Sequence, residues 1–327
     1  MKRREFVLLV GAALLPRIAI AQQGGKPLIG FLHGSAPVEQ YKSYIESFLA
    51  GLRDEGFEPE RDVALEYRWA EGEYERVPVL AAELLARKPA LIVAYGPPNV
   101  LRAAMDAIPR DMPIVFGTGG DPVAAGIVRS LGRPGGNATG VANRTNSLDI
   151  KRLELLRDLA PESGTIGLIL NPKNSDAPEV VKAAQEGAQM LGRKLAVAPA
   201  STPEQLDEAF ASVVNEGAGA LLLGSDTFLN AQAARIVALA ERYRLPTMYN
   251  GRAFVERGGL ISYGTDFNDT YRLVGGYAGK VLHGAKPADL PVLEPTRYEL
   301  LINLKTAKSL GLAIPHLILA RANEVIE

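Results

Sequence analysis

Short apolar runs alternate with amphipathic stretches over most of the chain. Leu28–Leu32 reads as a strand, and the next stretch sets Tyr41, Tyr44, Ile45, Phe48, Leu49 and Leu52 at helical spacing. Strands over 63–67, 91–94 and 114–116 then alternate with helices over 77–86 and 100–107, punctuated by Gly56, Pro59, Pro89, Pro109 and Pro113. The pattern restarts after Asn143. Helices over 148–159, 178–191, 203–214 and 231–243 alternate with strands over 166–170, 195–198, 220–223 and 247–249. Such βαβα repetition predicts an α/β chain of two doubly wound, Rossmann-like parallel-sheet lobes. The remaining pattern, a strand over 259–263, a helix over 271–282 and a strand over 300–304, predicts that the chain crosses three times and makes a hinge. The first crossing is expected at 131–143, where glycines are dense. Lobe one is then expected to comprise 26–141 plus 265–285, and lobe two 142–264 plus 286–327, with a cleft between them.

Composition narrows the chemistry. The 327 residues hold 36 basic and 37 acidic side chains, so nucleic acid is not an expected partner. There is no cysteine, and the only histidines are His33, His283 and His316. A thiolate metal site, a thiol nucleophile and a lipid-modified N-terminal cysteine are therefore excluded. Lys2, Arg3 and Arg4 precede an apolar run over 6–15 and the small residues Ala19-Ile20-Ala21. This reads as an export signal over 1–21 cleaved after Ala21, with Arg3-Arg4-Glu5-Phe6-Val7 fitting the twin-arginine pattern. Ten apolar residues are too few to span a bilayer, which takes ~20. The protein is expected free in a bacterial periplasm and not membrane-spanning. Losing the signal removes four basic residues and one acidic, leaving 32 against 36.

Ligands of doubly wound sheets sit outside the carboxyl ends of the strands, so the strand-end loops are the candidate site. In lobe one these supply Gly34 and Ser35, then Tyr95, Gly96 and Pro97, then Thr118, Gly119 and Asp121. The glycine-rich 117–122 loop fails the dinucleotide fingerprint because Pro122 stands where glycine is needed. It is either a set of amide N–H groups for an anion or only a tight turn. In lobe two the corresponding positions are Ser225 and Asp226, then Tyr249 and Asn250, then Tyr263. Asp226 either neutralises a ligand ammonium or caps the next helix. Tyr41, Tyr95, Tyr249 and Tyr263 can offer ring faces to a planar ligand, or simply pack. No nucleophile elbow, zinc-hydrolase motif or His-carboxylate cluster occurs, so neither a catalytic residue, a metal nor a cofactor is expected. Binding is favoured over turnover.

Several stretches, in order along the chain, resemble the ABC transporter solute-binding proteins that include tryptophan- and tyrosine-binding members. They are Gly120-Asp121-Pro122-Val123, Arg133-Pro134-Gly135-Gly136-Asn137-Ala138-Thr139-Gly140, Lys286-Pro287-Ala288-Asp289-Leu290-Pro291, Asn303-Leu304-Lys305-Thr306-Ala307-Lys308 and Arg321-Ala322-Asn323-Glu324-Val325-Ile326. The resemblance implies a type I periplasmic-binding-protein fold, a small-molecule ligand such as an aromatic amino acid or related organic acid, and a membrane permease with a cytoplasmic ATPase as partners. It implies that Ser35, Gly96, Thr118 and Asp121 face the ligand from lobe one, and Ser225, Asp226 and Tyr249 from lobe two. A monomer is expected. Two other readings use the same fold class: a sensor subunit for a membrane receptor, and an exported α/β enzyme.

Overall fold

The computed structural model describes residues 25–327, so the expected export signal lies outside the described residues. Lobe one is a parallel sheet of β1 (Leu28–His33), β2 (Ala64–Trp69), β3 (Leu91–Tyr95), β4 (Ile114–Thr118) and β5 (Ala138–Ala142), in the order β2-β1-β3-β4-β5. Lobe two repeats that order as β7-β6-β8-β9-β10, using β6 (Thr165–Leu170), β7 (Lys194–Pro199), β8 (Ala218–Leu223), β9 (Thr247–Tyr249) and β10 (Ile261–Thr265). Two further strands extend it beyond β10. They are β11 (Tyr298–Asn303), which runs antiparallel to β10, and β12 (Glu324–Ile326), parallel to β11. The expectation of purely parallel sheets therefore holds for lobe one and for all of lobe two except the β10–β11 pair.

The central strands are buried on both faces, as near-continuous apolar runs such as Leu91-Ile92-Val93-Ala94 require. Each sheet carries an apolar core on both sides. In lobe one these centre on Phe31, Phe48, Val93 and Tyr271, and on Leu80, Leu84, Leu101 and Phe116.

The helix over Phe267–Leu282, capped by Asp266, returns from lobe two and packs on lobe one against the helix over Gln40–Asp54. Two glycines allow this approach. A Cβ on Gly51 would lie 2.0 Å from the Arg272 carbonyl, and one on Gly275 would lie 2.0 Å from the Phe48 carbonyl. That helix carries two rings of the cleft, so the glycine contact sets their position.

Two boundaries differ from expectation. The glycine-rich 131–143 stretch is not wholly a crossing, because Ala138–Ala142 forms β5; its small residues give no apolar run to betray the strand. Residues 287–293 lie along lobe one, not lobe two. Thr139 Oγ1 donates to the Leu290 carbonyl at 2.7 Å, Leu293 N donates to Gly140 O, and Ala142 N donates to Leu293 O. The final passage to lobe two follows Leu293. No described helix is long and apolar enough to cross a membrane.

Candidate ligand-binding site

The strand order reverses between β1 and β3 in lobe one and between β6 and β8 in lobe two. Loops leave both sheets at these switch points with a crevice between them, where ligands of such folds bind. The two crevices face each other. A cavity of about 60 Å³ lies between them, lined from both lobes.

Rings dominate the lobe-one side. Tyr41 and Tyr44 come from the first helix, Tyr95 from the end of β3, and Phe267 and Tyr271 from the returning helix. Tyr95 stacks on Tyr271 with centroids 4.4 Å apart and planes at 22°, and Tyr271 stacks on Tyr44 at 5.2 Å. Tyr41 meets Tyr44 edge-on at 5.7 Å. Such pairs contribute ~0.5–1.5 kcal/mol each beyond the area they bury. His33 backs this wall from within the core. Its Nδ1 accepts from Ser35 N at 2.9 Å, so its proton sits on Nε2, which reaches the Tyr271 hydroxyl at 2.8 Å. Burial lowers its pKa to about 3, and the imidazole stays neutral. The Tyr95 hydroxyl accepts from Asn143 Nδ2 at 3.1 Å, and Asn143 Oδ1 accepts from Thr270 Oγ1 at 3.0 Å. A Cβ at Gly117 would strike the Tyr95 ring at 2.0 Å. Tyr95 is thus fixed from below, from the side and through its hydroxyl. Burial raises the pKa of Tyr41, Tyr44, Tyr95 and Tyr271, so all four phenols stay protonated.

Amides, hydroxyls and carboxylates dominate the other side. Asn174 and Asp176 come from the loop after β6, Ser225, Asp226 and Thr227 from the loop after β8, Asn230 from the short helix that follows, and Asn250 from the end of β9. Behind them Arg152 is completely buried. Its Nη1 donates to Asp149 Oδ1 at 2.7 Å, to the Thr145 carbonyl at 3.1 Å and to Ser225 Oγ at 3.3 Å, while Nε donates to the Tyr263 carbonyl at 2.7 Å. One guanidinium therefore fixes two cavity-lining residues and a strand.

Asp226 is a helix cap and a bridge between lobes at once. Its Oδ1 accepts from Phe228 N at 2.9 Å and from Asn171 Nδ2 at 2.9 Å; its Oδ2 accepts from Asn174 Nδ2 at 3.2 Å and from the Tyr74 hydroxyl of lobe one at 2.9 Å. Burial raises its pKa against the pull of these bonds. Tyr74 also pairs with Thr227 Oγ1 at 2.9 Å, Ser35 Oγ donates to the Thr227 carbonyl at 3.0 Å, and Gln40 Nε2 donates to the Asn230 carbonyl at 2.7 Å. Direct hydrogen bonds across the cleft describe a closed form.

Of the residues named from sequence, Tyr41, Tyr95, Gly96, Pro97, Gly119, Ser225, Asp226 and Asn250 line the cavity. Six do not. Gly34 turns the chain beneath Tyr74 and Thr227, and Ser35 spends its hydroxyl on the cross-lobe bond. Thr118 is fully buried and accepts from Gly120 N at 3.3 Å. Asp121 points outward to accept from Val123 N and Ala124 N, with Arg144 at 3.6 Å. Tyr249 is buried against Phe254, and Tyr263 packs against Tyr298 on the far part of the sheet. The ligand-facing roles that the resemblance implies for Ser35, Thr118, Asp121 and Tyr249 are therefore not realised in this closed form. Gln40, Tyr44, Asn143, Thr145, Asn146, Asn174, Asp176, Asn230, Phe267 and Tyr271 line the cavity without having been singled out for it.

Residues 36–326 match the family model for ABC transporter substrate-binding protein. The chain belongs to that family. The members compared are binding proteins, not enzymes. The chain is 27% identical over 267 residues to a tyrosine-binding protein of Clostridioides difficile (strain R20291), covering 82% of this chain and 76% of that one. It is 26% identical, with a TM-score of 0.81, to an ABC domain in complex with L-Trp from Streptococcus pneumonia, covering 92% of this substrate-binding protein and 100% of the other. A ligand-free, open substrate-binding protein from Clostridium difficile shares the fold at 24% identity and a TM-score of 0.62, with 92% and 99% covered.

Proposed function

We propose that this ABC transporter substrate-binding protein captures an aromatic amino acid between its lobes and hands it to a membrane permease driven by a separate ATPase. The observation that carries the reading is the cavity itself, in which stacked tyrosines face a wall of amides and carboxylates. A planar side chain gains from ring stacking on lobe one. The polar end of an amino acid gains charge-assisted hydrogen bonds on lobe two. A ligand that touches both walls prefers the closed form, and taking the lobes from 1:99 to 99:1 requires ~5.5 kcal/mol of such preference. The cross-lobe bonds of Tyr74, Ser35 and Gln40 favour the closed form independently of the ligand and lower the preference it must supply. The names of the tyrosine-binding and tryptophan-bound relatives support the same ligand class. The basic and apolar segment over 2–15 supports export by the twin-arginine route, with the mature protein acting as a periplasmic monomer.

Calorimetric titration of the purified protein with L-tyrosine, L-tryptophan, L-phenylalanine, L-leucine and glucose tests this. Saturable one-to-one binding of an aromatic amino acid, with leucine and glucose silent, is the expected result. Binding of glucose or leucine in preference to all three aromatic amino acids contradicts it.

A further inference from the structure

The cavity is lined by four tyrosines, two phenylalanines and two aspartates, and no Lys, Arg or His among the described residues lines it. The buried Arg152 stands behind Ser225 and outside the lining: Nη1 and Nε are bound to Asp149, Ser225 and backbone carbonyls, and Nη2, without a partner among the described residues, lies beside Gly264. The two carboxylates differ in what holds them. Asp226 accepts bonds from four groups besides Leu229 N and holds the lobes together. Asp176 is half-buried, accepts one bond, from Asn146 Nδ2 at 3.3 Å, and has no cationic partner among the described residues. Its Oδ2 lies against the Gly119–Gly120 loop, where a Cβ on Gly120 would be 2.3 Å away. A carboxylate at that spot makes the loop a poor place for an anion, which removes the anion-binding alternative for its amides.

From this arrangement we infer that Asp176 is the specificity-determining residue of the cavity: it selects ligands that carry a protonated amine beside an aromatic ring, and it excludes aromatic acids that lack one. The inference rests on the aromatic-ligand reading above and deepens it. An ammonium placed between Asp176 and the tyrosine faces gains an ion pair and ring-face attraction together. A lone carboxylate there meets two aspartates and no cation. An α-carboxylate is tolerated through neutral donors such as the Ser225 hydroxyl and the Asn230 amide, whose Oδ1 accepts from Asn250, so decarboxylated aromatic amines are ligands as well as the amino acids. Proton uptake by Asp176, whose pKa is raised to about 6 by burial and by the charges of Glu179 and Asp121, is what an ammonium would reverse.

The test is calorimetric titration at pH 7.5 with L-tryptophan, tryptamine and indole-3-acetate, on the natural protein, Asp176→Asn and Asp176→Glu. Asn is neutral and nearly isosteric, and melting of Asp176→Asn at or above the temperature of the natural protein will show that the fold is kept. Tryptamine is expected to bind the natural protein at least about 100-fold more tightly than indole-3-acetate. Asp176→Asn is expected to weaken tryptamine and L-tryptophan about tenfold or more and to narrow that ratio, with Asp176→Glu recovering part of it. If L-tryptophan binds but the ratio is the same in Asp176→Asn, or if indole-3-acetate binds as well as tryptamine, the role of Asp176 is wrong and the aromatic amino acid reading stands. If none of the three binds the natural protein, both fall.

Discussion

Lobe one faces the cavity mainly with the rings of Tyr41, Tyr44, Tyr95, Tyr271 and Phe267, whereas lobe two faces it mainly with Asn174, Asp176, Ser225, Asp226, Thr227, Asn230 and Asn250. The scaffolds beneath share one strand order, so topology does not cause the difference. What differs is the support. The ring wall is held by packing, with His33 and the Gly51–Gly275 helix contact behind it. The polar wall is held by hydrogen bonds that converge on Arg152 and Asp226. Some of its capacity is unspent, since Asn250 Oδ1 and Asn146 Oδ1 are buried without partners among the described residues. Buried polar groups in that state are costly, at ~1–3 kcal/mol each. A ligand that satisfies them recovers that cost only when the lobes are shut. The ring wall offers surface, and the polar wall converts contact into closure and discrimination.

That division is broken most severely at Arg152. Arg152→Met leaves Asp149 buried and unpaired, and a loss of ~3–5 kcal/mol is expected in chemical denaturation. The ring wall is more forgiving. Gly117→Ala forces Tyr95 off its stack, with an expected loss of ~1–3 kcal/mol and weaker aromatic binding measured by calorimetry. A pH titration then separates the walls without mutation. Asp176 has its pKa raised to about 6, faced by Glu179 in the first turn of the helix it precedes, by Asp121 and the Asn146 amide, with Arg102 and Arg144 along the adjoining groove. A carboxyl raised in the fold disfavours ionisation, so this group's contribution to stability declines as pH rises from about 4 to 6. Amine binding needs the ionised form, so affinity should be flat above pH ~7 and fall by up to about tenfold per unit below pH ~6, a slope that Asp176→Asn abolishes. Tyr74→Phe gives the smallest effect. It removes the hydroxyl that bridges to Asp226 and Thr227, worth ~1 kcal/mol in the closed form alone. About a fivefold loss of affinity is expected, with the denaturation midpoint nearly unchanged.

Much of the scaffold is legible in the pattern of apolar runs, and the site is legible only in part. Tyr95, Ser225 and Asp226 are found because they end strands, and position alone places them at the switch points. Tyr44, Phe267 and Tyr271 sit on helices at core spacing, and a ring that packs in a core has the same spacing as one that forms a cleft wall. Asn174 and Asp176 follow β6, so the strand-end rule covers them. Yet Asn171-Pro172-Lys173-Asn174-Ser175-Asp176 has the composition of any surface turn. Thr118 and Tyr249 fail for the opposite reason. They end strands as required, but the pleat turns each into its own lobe. The alternatives at Asp226, a ligand carboxylate or a helix cap, resolve in this closed form to a cap that also bridges the lobes.

The most direct test of this division of labour is a crystal structure of the protein with bound L-tryptophan. The indole is expected on the Tyr44–Tyr95–Tyr271 wall and the ammonium within about 3 Å of an Asp176 oxygen, with the Tyr74–Asp226 bond intact. An indole ring seated among Asn174, Asn230 and Asn250, or an ammonium held by Asp226 with Tyr74 displaced, would contradict it.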